Sequence, residues 1–274
     1  MVGQKGSPKC CWPDVRLDAR GDTRSDMVLI PAGTFMMGSP TTEKWRTRVT
    51  STYWGEESQH RVTISRPFYL QRLELTQAAW SRVAGQVQNS SNASQAMPLI
   101  YTDYYSAVGF ANELSRREGL TECYSVTCAS AYANSWEDGV IGPTECSAVA
   151  LTSASCTGYR LPTESEWEYA ARAGTKGAVY YDPLGDGQAE TATLNAIALW
   201  NTPAPTLLQS QPGGQKAPNP WGLYDMIGNN FEYVHDSYAA YPTATNSTDP
   251  GLASPASKAV IIRGGGNLTP DCHA

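Results

Sequence analysis

Turn-forming residues interrupt the chain at short intervals along most of its length. It has 24 glycines and 18 prolines among 274 residues, with 8 tryptophans and 15 tyrosines but only 4 phenylalanines. Gly and Pro favour turns, and Trp and Tyr suit half-buried surfaces because each joins a polar group to an apolar ring. The pattern predicts a loop-rich fold of short elements, and it argues against an all-helical domain or a coiled coil.

Charge and hydrophobicity exclude several classes of protein. The formal net charge is −6, hydrophobic residues make up 41% of the chain and charged residues 17%. A disordered chain would be less apolar and more charged. Because no window holds 18 consecutive apolar residues, we expect no transmembrane segment. The mildly acidic balance makes nucleic acid an unexpected partner.

Residues 1–26 are predicted to be an N-terminal extension, and residues 27–274 a single domain. The extension lacks the apolar core of a signal peptide, so an exported form would have lost its signal. Two short apolar runs, Met27–Ile30 and Thr34–Met37, flank a Pro-Ala-Gly turn and predict a β-hairpin. Arg61–Ser65 alternates polar and apolar residues, which predicts a half-buried strand.

Three helices are predicted. The first runs from about Thr76 to Gly85, and the second from near Thr102 to Gly119 with one apolar face. The third begins at a capping box in which Thr163 and Glu166 satisfy each other's terminal N–H groups. Residues 175–258 are turn-rich apart from Gly222 to Ile227, and 259–262 is predicted to be a buried strand.

Four cysteines, Cys123, Cys128, Cys146 and Cys156, lie in a stretch of little periodicity. We interpret residues 120–158 as an irregular insertion. Zinc is disfavoured because the Cys-x-x-Cys spacing is absent. Two disulfides are predicted instead, with all three pairings open, and they imply an extracytoplasmic protein. Four free thiols in a cytosolic protein are the alternative.

Four segments together resemble one protein family. They are Met27–Gly38, Gly158–Thr175, Ala217–Asp236 and Ile262–Gly265, in that order. They resemble the opening hairpin, the main helix motif, the Asn-x-x-Gly-Leu-Tyr-Asp-Met-x-Gly-Asn-x-x-Glu core and the Arg-Gly-Gly segment of the formylglycine-generating enzyme, or sulfatase-modifying factor, domain. The resemblance implies one α+β domain of the C-type-lectin-like kind, with short helices around a twisted antiparallel sheet.

The resemblance also implies where chemistry would occur. Enzymes of this family oxidise a cysteine of a client sulfatase to formylglycine, using two cysteines that hold copper(I), for which soft thiolates are suitable ligands. The matching positions here are Thr269 and Ala274, and Cys272 is the one cysteine nearby. Family members usually continue past this point, so the C-terminal end of the domain is expected to be incomplete.

Two further sites follow from the same motifs. Asn195, Asn219, Trp221, Gly222 and Glu232 are candidate residues of a structural calcium site, which would need many oxygen ligands. The alternative is that Asn219 and Gly222 make a turn and that Glu232 pairs with Arg160 or Arg263. Asp225, Asn229, Glu232, His235 and Asp236 are interpreted as a buried hydrogen-bond network rather than a catalytic cluster.

These observations favour an extracytoplasmic ligand-binding or accessory domain without the copper pair. Its binding rim would include Asn267, Thr269, Asp271 and His273. A formylglycine-generating oxidase is the alternative, in which case copper would be the cofactor. A receptor-like binding protein diversified by retroelements is a second alternative. The ligand or client and the oligomeric state stay open.

Overall fold

The computed structural model describes residues 2–4, 26–43, 58–84, 96–100, 102–128, 146–153, 155–181, 191–200, 210–237, 246–251 and 260–265. The strands in these residues are β1 (Val2–Gln4), β2 (Met27–Ile30), β3 (Gly33–Met37), β4 (His60–Ile64), β5 (Phe68–Gln71), β6 (Tyr124–Cys128), β7 (Cys146–Leu151), β8 (Tyr159–Arg160), β9 (Glu232–Ser237), β10 (Asn246–Thr248) and β11 (Val260–Arg263). The helices are α1 (Gln77–Ala84), α2 (Tyr104–Arg117), α3 (Glu164–Arg172) and α4 (Thr191–Ile197). The mixed α+β class and the short elements are as predicted.

The described strands form four small sheets where one twisted sheet was expected. Their orders are β2-β5-β1-β8, β10-β4-β3, β11-β9 and β6-β7. Neighbouring strands are antiparallel except for β10 and β4, which run parallel.

The predicted hairpin at the start of the domain is wrong. Strand β2 pairs with β5 and strand β3 pairs with β4, so two strands that follow each other in sequence lie in different sheets. The turn between them carries the chain from one sheet to the next. The half-buried strand is confirmed as β4, in which His60, Val62 and Ile64 are buried and the intervening residues are more exposed.

Strand β1 belongs to the segment predicted as an extension. It lies between β5 and β8, with Val2 opposite both Leu70 and Arg160. The first residues of the chain therefore contribute to the sheet of the domain. Strand β1 has only three residues, which is too short for a periodic pattern that would predict a strand from sequence.

Local capping signals placed the helices well. Thr76 Oγ1 accepts the N–H of Ala79 at the start of α1, and Asp103 caps α2 by accepting the N–H of Ser106. The capping box of α3 is present, with Thr163 Oγ1 accepting from Glu166 N at 3.2 Å and Glu166 Oε2 accepting from Thr163 N at 2.8 Å. Across the described residues, no helix combines the length and the apolarity needed to cross a membrane.

Several weaker predictions need correction. The stretch 120–158 contains the antiparallel hairpin of β6 and β7. The turn-rich region holds α4, β9 and β10, whereas 222–227 forms no regular element. Strand β11 is only half-buried, because Ile262 keeps 47% of its surface exposed.

Two groups of buried apolar side chains make the core. The first surrounds Trp167 on α3 and includes Phe68, Leu223 and Val234. The second surrounds α1 and α2 and includes Val108. Strand β8 and the start of α3 join the two groups through a buried bidentate ion pair, in which the two terminal guanidinium nitrogens of Arg160 each lie 2.7 Å from a Glu166 oxygen.

Candidate functional site

The segment from Ala217 to Asp236 is held in place by Asn219. Its Oδ1 accepts the N–H groups of Trp221 and Leu223, and its Nδ2 donates to the carbonyls of Ala170 and Ala171 on α3. Asn219 is 3% exposed. Gly222 adopts a φ of +83°, a conformation that side-chain-bearing residues rarely adopt. These contacts are those of the turn that was the alternative to a calcium site.

The other predicted calcium residues are also engaged elsewhere. Asn195 is an exposed residue of α4 whose Oδ1 accepts from Trp200 Nε1. Glu232 accepts from Trp167 Nε1 at 3.0 Å. Trp221 packs edge-on against Tyr169. The described contacts do not gather the five residues around one ion, and no group of three or more His, Cys, Asp or Glu in the described ranges is arranged to hold a metal.

The pairing proposed for Glu232 with an arginine is replaced by other ion pairs. Arg160 pairs with Glu166, while Arg263 pairs with Glu164 and Glu168. Burial alone would raise the pKa of Glu168, but Arg263 and Arg172 outweigh it and hold that pKa below its usual range. The arginines near α3 thus form ion pairs with glutamates of α3 and not with Glu232.

A cluster of three acids lies near the end of β5, where the chain contacts the segment Ala217–Asp236. This segment is called the core motif. Glu74 accepts the N–H of Asn230 at 2.9 Å and a hydrogen bond from Asn229 Nδ2. Asp225 Oδ2 accepts the N–H of Gly214 at 2.7 Å, and its Oδ1 has no hydrogen-bond partner among the described atoms. Glu232 completes the cluster.

Burial is the main cause of the raised pKa of each of these carboxyls, and mutual repulsion adds to it for Glu74 and Glu232. Burial raises the pKa of Glu74 well above its ordinary value, and the nearby charges of Glu232 and Asp225 raise it further. Glu74 was missed in the sequence analysis. An acid between Leu73 and Leu75, directly after an alternating strand, was the available signal.

A cavity of about 120 Å³ opens beside Glu74 and Glu232. Its walls are mainly apolar side chains from β5, α1, α2 and the core motif. They include Leu75, Trp80, Leu99, Ala107, Phe110 and Phe231. Phe231 keeps 47% of its surface exposed, so an aromatic ring stands at the edge of the cavity.

His235 and Asp236, two other members of the predicted polar cluster, form hydrogen bonds with backbone groups next to the start of α3. His235 is fully buried, its ring lies 5.5 Å from that of Tyr124, and its backbone N–H donates to Pro162 O. Asp236 accepts the N–H of Glu164 at the start of α3. Burial raises the pKa of Asp236 to about 7, and the charge of Glu164 adds to the effect.

The predicted rim and the copper positions lie outside the described residues, which end at Gly265. This applies to Asn267, Thr269, Asp271, Cys272, His273 and Ala274. The structure does describe how the chain reaches them. Arg263 lies over the Trp167 ring at 5.3 Å, and the Gly264 carbonyl accepts from Gly228 N at 2.7 Å. The end of β11 is therefore anchored on the core motif.

One predicted disulfide is present, between Cys123 and Cys156, whose Cα atoms lie 5.4 Å apart. It closes the base of the hairpin formed by β6 and β7, and both cysteines are buried. The backbone register places Cys128 opposite Cys146 in the same hairpin. A second disulfide there stays a prediction.

Comparison with known proteins decides the family. The model of the sulfatase-modifying factor enzyme 1-like domain matches residues 14–273. The chain belongs to this family. The match of the sulfatase-modifying factor domain begins within the predicted extension, and it covers all four motifs on which the resemblance was based.

Three similar proteins show the range of the family. A chaperone protein, LppX of Paenibacillus barcinonensis, is 29% identical over 81% of this chain and 75% of its own length. The formylglycine-generating enzyme of Bos taurus is 24% identical over 90% of this chain, which spans 66% of the bovine protein. The structure of Treponema denticola variable protein 1 superposes with a TM-score of 0.69 at 25% identity, covering 90% of this chain and 86% of that one.

Proposed function

We propose that this sulfatase-modifying factor domain binds a ligand or client protein as an extracytoplasmic accessory domain and does not oxidise it. The observation that carries the proposal is the pair of residues at the matching copper positions, Thr269 and Ala274. Neither side chain supplies the thiolate that copper(I) prefers. Cys272 alone offers one soft ligand where the oxidase chemistry of the family uses two.

Three findings support the proposed binding role outside the cytoplasm. A relative that aligns with 81% of the chain is named a chaperone. The Cys123–Cys156 disulfide is typical of proteins made for an oxidising compartment. The cavity beside Glu74 and Glu232 supplies a concave surface with few polar groups, as small-ligand sites usually do.

A formylglycine-generating oxidase is the second candidate. The similarity to the bovine enzyme over 90% of the chain favours it. It would need a thiolate pair outside the matching positions. A variable binding protein is a third candidate, favoured by the similarity to the Treponema protein.

A peptide oxidation assay separates binding from oxidation. The full-length protein is incubated with a Cys-x-Pro-x-Arg peptide, copper and oxygen, and the products are analysed by mass spectrometry with the bovine enzyme as positive control. We expect the cysteine to stay unoxidised to formylglycine. An aldehyde product that is lost in the Cys272→Ser variant would establish the oxidase instead.

The accessory role has its own measurement. Light scattering during refolding of a reduced, unfolded secreted hydrolase should fall when the protein is added at equimolar concentration, relative to the same concentration of serum albumin. If scattering is unchanged and the peptide is not oxidised, the chaperone-like role is rejected together with the oxidase.

A structural calcium ion is a further proposal, drawn from the family resemblance. Irregular loops offer the backbone carbonyls that calcium uses. Chelation should then lower the melting temperature, and added calcium should restore it where added magnesium does not. A melting temperature that is the same with and without chelator rejects the proposal.

A further inference from the structure

Strand β1 fills a space between two strands that do not pair with each other. Both β5 and β8 pair antiparallel with β1, and among the described strands β8 has no other partner. Without β1, the facing edges of β5 and β8 would present unpaired backbone N–H and C=O groups, which recruit another extended chain. The space between β5 and β8, called the strand slot, is therefore a site for one extended segment.

The segment that occupies the slot is short and has a long connection to the rest of the domain. Strand β1 has only three residues, whereas strands usually have five or six. Residues 5–25 connect it to Asp26, whose carbonyl accepts from Arg72 N just after β5.

The length of this connection exceeds the distance that it must cover. Strands β1 and β2 flank the same strand β5, about 10 Å apart, and residues 5–25 can span roughly 70 Å when extended. Strand β1 can therefore leave the slot while β2 stays paired with β5. The ends of a chain open at little cost in free energy, which makes β1 a displaceable occupant.

The register defines which residues the slot accepts. Gly3 lies opposite Tyr69 on one side and Tyr159 on the other, and directly opposite residues share a face of the sheet. The Tyr159 ring is held in place, since it is 3% exposed and its hydroxyl donates to Glu118 at 2.7 Å. A branched side chain at the middle position would have to displace a ring, whereas glycine needs no space there.

The two outer positions of the slot belong to the other face of the sheet. Val2 lies opposite Leu70, and Gln4 lies opposite Phe68. Both Leu70 and Phe68 are buried, so this face continues the apolar core. The slot thus suits an extended segment with a small residue between two larger ones.

The amino-terminal end of the slot leads to the cavity beside the core motif. One register position before Val2 would lie opposite Gln71 and Leu161, and both of these residues line the cavity. Burial raises the pKa of Glu232 at the same cavity, and the positive charge of the chain's amino terminus offsets part of that rise. The cavity therefore offers room for a side chain that precedes the paired residues.

We propose that the strand slot binds an extended segment of an unfolded client, which replaces β1 and pairs antiparallel with both β5 and β8. This inference rests on the proposed accessory function, whose client-binding site it names. Backbone hydrogen bonds supply the affinity in strand addition, and alternate side chains supply the specificity. A small residue of the client lies between Tyr69 and Tyr159, and β1 occupies the slot when no client is bound.

A peptide titration tests the slot and its register. The full-length protein labelled with ¹⁵N is titrated with the peptide Met-Val-Gly-Gln-Lys-Gly, which has the sequence of residues 1–6. We expect saturable shifts of the amide signals of Tyr69 and Tyr159, and none at Val149 in the β6–β7 hairpin. The peptide with isoleucine in place of the first glycine should bind about tenfold more weakly. Because isoleucine is the better strand former, equal or tighter binding of that peptide would indicate unspecific attachment and overturn the proposal.

Two substitutions at one position of the full-length chain test whether β1 competes for the slot. Gly3→Pro removes a backbone N–H from a central strand and weakens its pairing. Because the slot is then open in a larger fraction of molecules, the peptide should bind about tenfold more tightly than it binds the wild type. Gly3→Ala keeps the N–H and should bind within about twofold of the wild type. Equal affinity for the wild type and folded Gly3→Pro would refute the competition.

The slot and the accessory function are separated by one further measurement. Light scattering of a refolding hydrolase is followed with the protein and an excess of either peptide. We expect the glycine peptide to abolish the suppression of aggregation and the isoleucine peptide to leave it. Suppression that neither peptide affects would keep the accessory function and overturn the slot as its site. Peptide binding in the slot without any suppression would reject the accessory function instead.

A second copy of this chain is the other source of such a strand. Light scattering of the protein alone at increasing concentration gives its oligomeric state. We expect no dimer that the glycine peptide dissociates. A dimer of that kind would show that the slot receives β1 of another copy, and it would overturn the client as the occupant.

Discussion

At the scale of single residues, the Asn219 side chain connects a turn of the core motif to helix α3. Four hydrogen bonds from its amide join the turn at Trp221 to the carbonyls of α3. We expect Asn219→Ala to lower the free energy of unfolding by about 2–4 kcal/mol, because several buried backbone groups lose their partner. Urea denaturation measures the change.

The matched control for that substitution is Asn195→Ala, which changes an exposed residue of α4. It should cost less than about 0.5 kcal/mol, as most surface substitutions do. Both variants are measured with and without chelator. A loss in Asn219→Ala that occurs only when calcium is present would return Asn219 to the calcium site.

Asp236 should make stability depend on pH. Its pKa is raised to about 7 in the folded protein, whereas an exposed aspartate titrates near 3.9. Between these values the folded state binds the proton more tightly than the unfolded state, so this contribution is complete below about pH 4 and is lost as the pH rises through 7. Glu164 and Glu166 face the same carboxyl and strengthen the effect.

The Asp236→Asn variant replaces the titratable carboxyl by an amide that does not titrate, and it keeps an oxygen that can accept the N–H of Glu164. We expect its free energy of unfolding to change less between pH 4 and pH 7 than that of the wild type. Urea denaturation at pH steps through this range measures it. Parallel curves for the two proteins would show that another group controls the dependence.

Single residues also show what a sequence can reveal about a site. Asn219 could be singled out because it belongs to a motif, but its role depends on where α3 lies. Glu74 belongs to no pattern beyond its apolar neighbours, and only folding brings it to within electrostatic reach of Asp225 and Glu232. Residues that meet through tertiary contacts leave little trace in local sequence.

At the scale of elements, helices were predicted better than strands for a physical reason. The signals that begin α3 lie within four residues of each other, at Thr163 and Glu166. Strand pairing depends on contacts between residues far apart in the chain. The apolar runs therefore predicted the strands β2 and β3 but not the strands with which they pair. The hairpin of β6 and β7 was missed because a long segment separates its strands.

The β6–β7 hairpin offers a test of the disulfide framework. We expect a peptide linking Cys128 to Cys146 in addition to the one linking Cys123 to Cys156, because the backbone register pairs these positions. Mass spectrometry after non-reducing digestion identifies both links. Free thiols at Cys128 and Cys146 in protein purified from an oxidising compartment would contradict the second bond.

Removing the first disulfide should have a measurable cost. The bond joins residues 33 apart in sequence. Loop-closure entropy predicts a loss of roughly 3–4 kcal/mol for the Cys123→Ser, Cys156→Ser double variant. A loss below about 1 kcal/mol would show that the packing of the hairpin, and not the cross-link, holds the insertion.

At the scale of the whole molecule, contacts around β8, α3 and β9 tie the two apolar groups together. The ring of Tyr124 lies against His235, whose carbonyl accepts from Tyr104 OH. Leu161 N donates to Tyr124 OH, and Arg160 pairs with Glu166. Two of the four motifs found in the sequence, Gly158–Thr175 and Ala217–Asp236, supply residues to this junction.

This junction predicts that the domain unfolds as one cooperative unit. Val62 lies in the group around Trp167 and Val108 in the group around α2, and both are fully buried. Val62→Ala and Val108→Ala should each lower the free energy of unfolding by about 2 kcal/mol through lost burial and a residual cavity. Because the groups share buried polar contacts, either substitution should shift one common transition. Far-ultraviolet and near-ultraviolet circular dichroism in urea should therefore give coincident curves for the wild type and both variants. Two separate transitions, with each variant shifting only its own, would show that the helical part and the motif core fold independently.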